Sequence, residues 1–462
     1  MNRIFVSSVL VLALALLNGC APKNVTTTDS PASTESTSSK RSVPESDDPI
    51  LAPVPGDGQL EKQIAAAQEM IRSAHEFGSP AALERLGWLF VARARDSFDD
   101  SYYQLAEQCA LRLDARQPGA AAAALLRGHA LHNLHRFKEA EPLARQLAAT
   151  RGAPFDHGLL GDVLMERGLL VDAAAAYQKM MDLRPDSRAL VRAAHMRWLR
   201  GDVLGAVEAM QTAVGAAGVR DAESAAWMNT RLGFYHLTSG NLQFTEDACA
   251  VALRLHTNFA PAFALLGRVR LAAGETGEAI EFLERAARRH PLPEYQWWLT
   301  EALMEAGRFN EARATEAELR RRGAAADART FALFLATRRE QAELAVSLMR
   351  HELEERADVF TRDALAWCLT AAGRLPEARV HMERALAEGT LDGRIFFHAA
   401  VIAAKSGQPQ ASERYRATAQ KLAHLLLPSE RSQLALLHAG TGPVSAATSS
   451  SSPNQVEFAS GQ

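Results

Sequence analysis

Across residues 59–427 the apolar side chains recur every three or four positions, the period of helices packed on one side, and no stretch alternates as a strand does. The pattern is clearest over residues 154–185. Leu159, Leu160, Leu164 and Met165 share one face of a first predicted helix, and Ala173, Ala176, Tyr177 and Met180 share one face of a second. Gly168 stands between them, where the chain must reverse through a left-handed backbone angle that a Cβ disfavours. Pro185 has no N–H to continue the second helix. One such hairpin cannot bury its own apolar face, so its recurrence decides the fold.

Gly168, Gly201, Gly240, Gly274, Gly307, Gly373 and Gly407 are separated by 33, 39, 34, 33, 66 and 34 residues, the 66 being two periods and the 39 marking a short insertion around 215–222. Alanines early in the second helices repeat independently at 33: Ala140, Ala173 and Ala206, then Ala279, Ala312, Ala345, Ala378 and Ala411. A small residue belongs where the two helices of a hairpin cross. Hairpins are predicted to start near Ala121, Pro154, Ser187, Ala226, Ala260, Pro293, Ala326, Val359 and Gly393, preceded by a degenerate one over 79–118 and a lone capping helix over 60–77. In the hairpin near Ala326, Glu340 stands where the others have glycine.

Leu160, Gly161, Leu164, Gly168, Ala173, Tyr177 and Pro185 match the spacings of the tetratricopeptide repeat, and Leu266, Gly267, Gly274, Ala279, Ala286 and Pro291 match them again. About four-fifths of the chain resembles this family, whose period is shorter than that of related helical repeats. The resemblance implies an all-α, right-handed superhelical solenoid of about ten hairpins over 59–427. First helices would line its concave surface and second helices its convex one.

Residues 1–19 carry Arg3 and an apolar run over 4–17, too short to span a bilayer comfortably and suited to a secretory signal. Leu17-Asn18-Gly19-Cys20 resembles the signal of bacterial lipoproteins, which implies cleavage before Cys20 and lipidation of its thiol and new amino group. Ala21, not Asp, at the next position implies the periplasmic face of an outer membrane. Residues 20–58 are rich in Thr, Ser and Pro and read as a disordered tether, reaching roughly 35 Å as a flexible coil. Residues 428–462 form a C-terminal region ending in a Ser/Thr-rich tail that also reads as disordered.

A hydrophobic fraction of 47% and a charged fraction of 23% are those of a soluble folded chain. Net charge is −3 with no basic block, which argues against a nucleic-acid partner. The four cysteines, Cys20, Cys109, Cys249 and Cys368, form no CxxC, and the last three read as small buried apolar residues. No phosphate-cradling loop, nucleophile elbow or HExxH is present, so neither catalysis nor a cofactor is expected. His129 and His132 share a helical face and are weak metal candidates with no evident third ligand.

The tetratricopeptide register places Met165, Trp198, Phe234, Trp297, Met304, Phe334, Trp367 and Phe397 toward the concave groove, with Asp162, Glu166, His195, Arg268 and Glu301 between them. Aromatics and methionines offer adaptable apolar area and the charges fix orientation, a surface suited to a peptide segment, although the same rings can equally be core. The family's chaperone-tail clamp of basic and amide residues is missing from the hairpin at 154–185, where Gly158, Asp162 and Glu166 stand. The expectation is a non-catalytic, membrane-anchored scaffold binding cell-envelope proteins through this groove, in assembly of a secretion, pilus or export complex. The alternative is a glycan- or small-ligand-binding lipoprotein that stacks its ligand on Trp198, Trp297 or Trp367.

Overall fold

The computed structural model describes residues 48–73, 79–218 and 221–439. Every regular element among these is helical. α1 (Gln59–Ser73) stands alone. Ten hairpins follow: α2 (Pro80–Ser97) with α3 (Ser101–Arg116), α4 (Ala121–Asn133) with α5 (Phe137–Thr150), and α6 (Pro154–Glu166) with α7 (Leu170–Leu183). Next come α8 (Ser187–Leu199) with α9 (Val203–Ala216), α10 (Ala222–Thr238) with α11 (Leu242–Leu255), and α12 (Ala260–Ala273) with α13 (Thr276–Arg289). The last four are α14 (Pro293–Glu305) with α15 (Phe309–Ala326), α16 (Ala328–Arg338) with α17 (Ala342–Glu355), α18 (Val359–Ala371) with α19 (Leu375–Leu386), and α20 (Gly393–Lys405) with α21 (Pro409–Lys421). α22 (Pro428–Ala439) closes the described chain. The fold is an all-α solenoid.

Local chemistry sets these boundaries. Asp186, Asp221, Asp327, Asp358 and Asp392 precede the first helices of five hairpins, and each carboxylate accepts a backbone N–H of the first turn. Every hairpin turn carries a left-handed residue before its second helix, and the turn between α16 and α17 carries a second, Gln341 at φ 45°. In seven it is a glycine of the sequence series, and in the other three it is Phe98, His135 or Arg339. The position expected at Glu340 is shifted: α16 stops early, and Arg339 takes the angle at φ 57°. Seven of the eight marker alanines, all but Ala411, are fully buried at the helix crossings. Gly161 lies so close to the Tyr177 ring that a Cβ would collide with it, which joins the two helices of that hairpin.

Of the stretch 20–58 expected as a disordered tether, residues 48–58 are described, and part of it packs against the body. Ile50 is buried, Gln68 Nε2 donates to its carbonyl (3.0 Å), and Asp48 forms an ion pair with Arg112. Ile50, Leu51 and Val54 pack into the core formed by α1, α2 and α3. Cys20 and residues 440–462 lie outside the described residues. Cys109, Cys249 and Cys368 are buried free thiols, and burial pushes Cys109 and Cys249 up to about 12.

The ribbon of hairpins also winds back onto itself. Ala357 N donates to Glu166 O (2.9 Å), Arg167 Nη1 to Glu354 O (2.7 Å), and Thr390 Oγ1 to Leu199 O (2.7 Å). Lys138 Nζ lies 3.4 Å from Glu355. These contacts join hairpins about five apart along the chain, so one turn of the superhelix rests on the next. The tips of earlier hairpins meet the inter-hairpin turns of later ones. At the N-terminal end, Phe98 stacks on His290 at 4.3 Å, and Arg289 donates to Asp96 O (2.7 Å).

Candidate functional site

Stacking of the turns changes what the first helices present. Asp162 accepts from Tyr177 Oη (2.6 Å) and from Arg192 through both Nε (2.8 Å) and Nη2. Glu166 pairs with Arg356 of the other turn at 3.0 Å, and burial raises its carboxyl to about 7 against the pull of that guanidinium. Trp198 stacks on Phe360 of the other turn (5.6 Å between centroids), with Phe234 edge-on to it at 5.1 Å. His195 stacks on Trp198 at 4.8 Å, and its Nδ1 lies 3.0 Å from Arg231 Nη2. Burial, with Arg231 and Arg192 nearby, holds that imidazole well below its usual range, so it is neutral.

The C-terminal segment consumes further members of the expected groove. Arg268 donates to Leu425 O, and Glu301 accepts from Ser429 N (3.0 Å) and from Trp297 Nε1 (3.3 Å). Trp297 packs edge-on to Phe334 (6.0 Å) beneath the Arg394 guanidinium (4.9 Å), and Phe397 packs on Trp367 at 5.5 Å. Asp162, Met165, Glu166, His195, Trp198, Arg268, Trp297, Glu301, Phe334 and Phe397 are thus all buried, and Phe234 is half-buried. This corrects their expected place in an open groove. Neighbouring repeats and the stacked turn cover these side chains. Met304 alone of the set is exposed, at 40%.

His129 and His132 do not form a metal centre with a third group, since no three ligand-type side chains converge among the described residues. His129 Nε2 lies 3.2 Å from Asn133 Nδ2. His132 stands edge-on to Phe137 at 5.3 Å. Burial is the main cause lowering His132 to about 4, with Asp162 opposing it.

One predicted residue does reach an open site. Trp367 is only 6% exposed, yet its side chain lines a cleft of about 280 Å³ where the C-terminal ends of α16, α18 and α20 meet α22. Its indole is fixed by a hydrogen bond from Nε1 to Thr337 Oγ1 (3.0 Å) and by stacking on His398 at 4.0 Å, while His398 Nδ1 lies 2.9 Å from Asp363. Val401 and Leu436 add apolar walls, and Arg339 and Lys405 are exposed beside them. The repeat register could not supply α22, which follows the last hairpin, nor Arg339, whose hairpin departs from the glycine pattern. The leucines at 434, 436 and 437 were the only sequence signal of a packed helix there.

The geometry defines a helical-hairpin solenoid whose turns stack, with an apolar cleft near the C-terminal end of the described residues. No family model and no curated protein matches the chain. Solved structures of similar course include the human IFIT1 dimer with PPP-AAAA, at 14% identity over 79% of this chain and 77% of that one, with a TM-score of 0.43. The APC/C hetero-tetramer Cut9-Hcn1 follows at 13% identity over 82% and 93%, with a TM-score of 0.35. A tetratricopeptide repeat protein from Parabacteroides merdae ATCC 43184 matches at 15% identity over 55% and 98%, with a TM-score of 0.31.

Proposed function

We propose that this protein is a non-catalytic scaffold of the cell envelope, lipid-anchored through Cys20 and binding other envelope proteins or their peptide segments. The observation that carries the binding role is the Trp367 cleft: a rigid aromatic floor, apolar walls and charged rims, open on a solenoid whose other inner-face aromatics are used in packing. The anchor rests on the residues before Cys20. No helix among the described residues is long and apolar enough to cross a membrane, so attachment through a helix would need a segment outside them. The outer-membrane address rests on Ala21, and a role in assembling a secretion, pilus or export complex follows from a tethered body that binds partners without transforming them.

The glycan reading is the weaker one. Trp198, Trp297 and Trp367, the three indoles that reading uses, are all buried, and Trp367 is already stacked on His398.

Cross-linking in the native envelope, followed by identification of the joined peptides, tests the scaffold role. It predicts a reproducible protein partner joined near α16–α22. Recovery of none, with glycan retained instead, overturns it. For the anchor, Cys20→Ser should lose lipid labelling and leave the membrane fraction; equal partition of variant and wild type contradicts the assignment.

A further inference from the structure

We infer that the Trp367 cleft recognises a short segment of a partner protein in which one or two large apolar side chains stand beside a carboxylate, an inference that rests on the scaffold reading above. Its size comes first. About 280 Å³ lies at the small end of ligand sites, enough for one or two side chains rather than a cofactor. Trp367 forms the floor, Val401 a wall, and Leu436 of α22 stands at the mouth with 71% of its surface exposed. An exposed leucine beside a recessed apolar floor is an unfinished contact, completed when an apolar partner enters.

The charge at the rim selects among apolar partners. Arg339 and Lys405 both line the cleft, both are exposed, and neither forms an ion pair with another described residue. Most other arginines on this surface are paired, commonly with a glutamate three or four residues away. The two cations are not needed to close their own helices. Arg339 N and Glu340 N already bond the carbonyls of Ala336 and Leu335, and Gly407 N and Gln408 N those of Ala404 and Ala403. Of the two other polar lining residues, Thr370 already donates its hydroxyl to Ala366 O (2.7 Å), and Gln433 can accept or donate. Two unpaired cations flanking an apolar floor favour an acidic, apolar segment and disfavour a basic one.

The test uses the full mature chain and a fluorescein-labelled peptide carrying Asp-Leu-Phe-Asp in a Gly/Ser frame, against the same peptide with Lys for Asp. Polarisation should report saturable binding of the acidic peptide, weakened on adding salt, and binding of the basic one at least about tenfold weaker. Arg339→Ala with Lys405→Ala changes only exposed groups and should cost the acidic peptide at least about tenfold. Leu436→Asp should do the same by spoiling the apolar mouth. Equal binding of both peptides, no binding of the acidic one, or wild-type binding by both variants overturns the inference. If the cleft variants still cross-link the wild-type chain's envelope partner, the cleft assignment fails while the scaffold role stands. If even the wild-type chain captures no partner, the scaffold role itself fails.

Discussion

Gly168 and Gly373 occupy the same place in their hairpins and adopt nearly the same angle, φ 75° and 76°, yet they meet different surroundings. Around Gly373 a Cβ would meet nothing within 4 Å, whereas at Gly168 it would run into the backbone carbonyl of Ala357 on the stacked turn. Gly201 is like Gly168, since a Cβ there would lie 2.6 Å from Gly389 O, while Gly274, Gly307 and Gly407 are like Gly373. One sequence signal therefore serves two physical purposes. Everywhere it permits the chain to reverse; in the third and fourth hairpins it also lets two turns of the superhelix touch backbone to backbone.

The comparison can be broken most forcefully at Trp198. It packs against Phe234 of the next hairpin and against Phe360 across the stack, so Trp198→Ala should cost about 3–5 kcal/mol in urea unfolding. A double-mutant cycle with Phe360→Ala isolates the inter-turn share, expected near 1 kcal/mol; zero coupling would mean the turns do not touch in solution.

Next in size is a pH effect. His132 is neutral when folded, lowered to about 4, against an ordinary value near 6.5 when unfolded, and Arg356 from the other turn adds to the lowering. The unfolded chain thus binds the extra proton first. The stability linked to His132 is complete above about 6.5 and is lost as pH falls toward about 4, in all about 3 kcal/mol. His132→Gln should flatten that part of the urea midpoint's pH profile, and an unchanged profile contradicts the assigned burial.

The glycine pair sharpens the comparison directly. Gly373→Ala should cost about 1 kcal/mol for its left-handed angle alone, and Gly168→Ala about 2 kcal/mol more, because the Ala357 backbone must retreat. Equal thermal shifts for the two variants would show that the stacked contact contributes nothing.

The repeat itself was legible because it rests on local causes: a reversing glycine and a small residue at the helix crossing. α4, α6, α8, α12, α14, α18 and α20 begin at the residues near which the sequence places them, while α10 begins at Ala222 instead of near Ala226 and α16 at Ala328 instead of near Ala326. Those local causes also survive substitution, as His135 and Arg339 show by taking left-handed angles without glycine. The fate of the inner face was not legible. Register tells that Trp198 and Glu166 point inward, but not that Phe360 and Arg356, more than 150 positions later, come to meet them. That depends on the small rotation between hairpins summed over about five of them, a quantity no single repeat encodes. Trp367 remained at an open site because α22 closes the cleft as a wall instead of filling it.

Closure of the solenoid is most directly read at Lys138, whose ammonium lies 3.4 Å from Glu355 and 3.7 Å from Glu354. Zero-length carbodiimide cross-linking of the native chain should join the peptide holding Lys138 to the one holding those two glutamates, and should fail once the chain is denatured. If links form within neighbouring hairpins but never between these two, the turns do not stack and the solenoid is open.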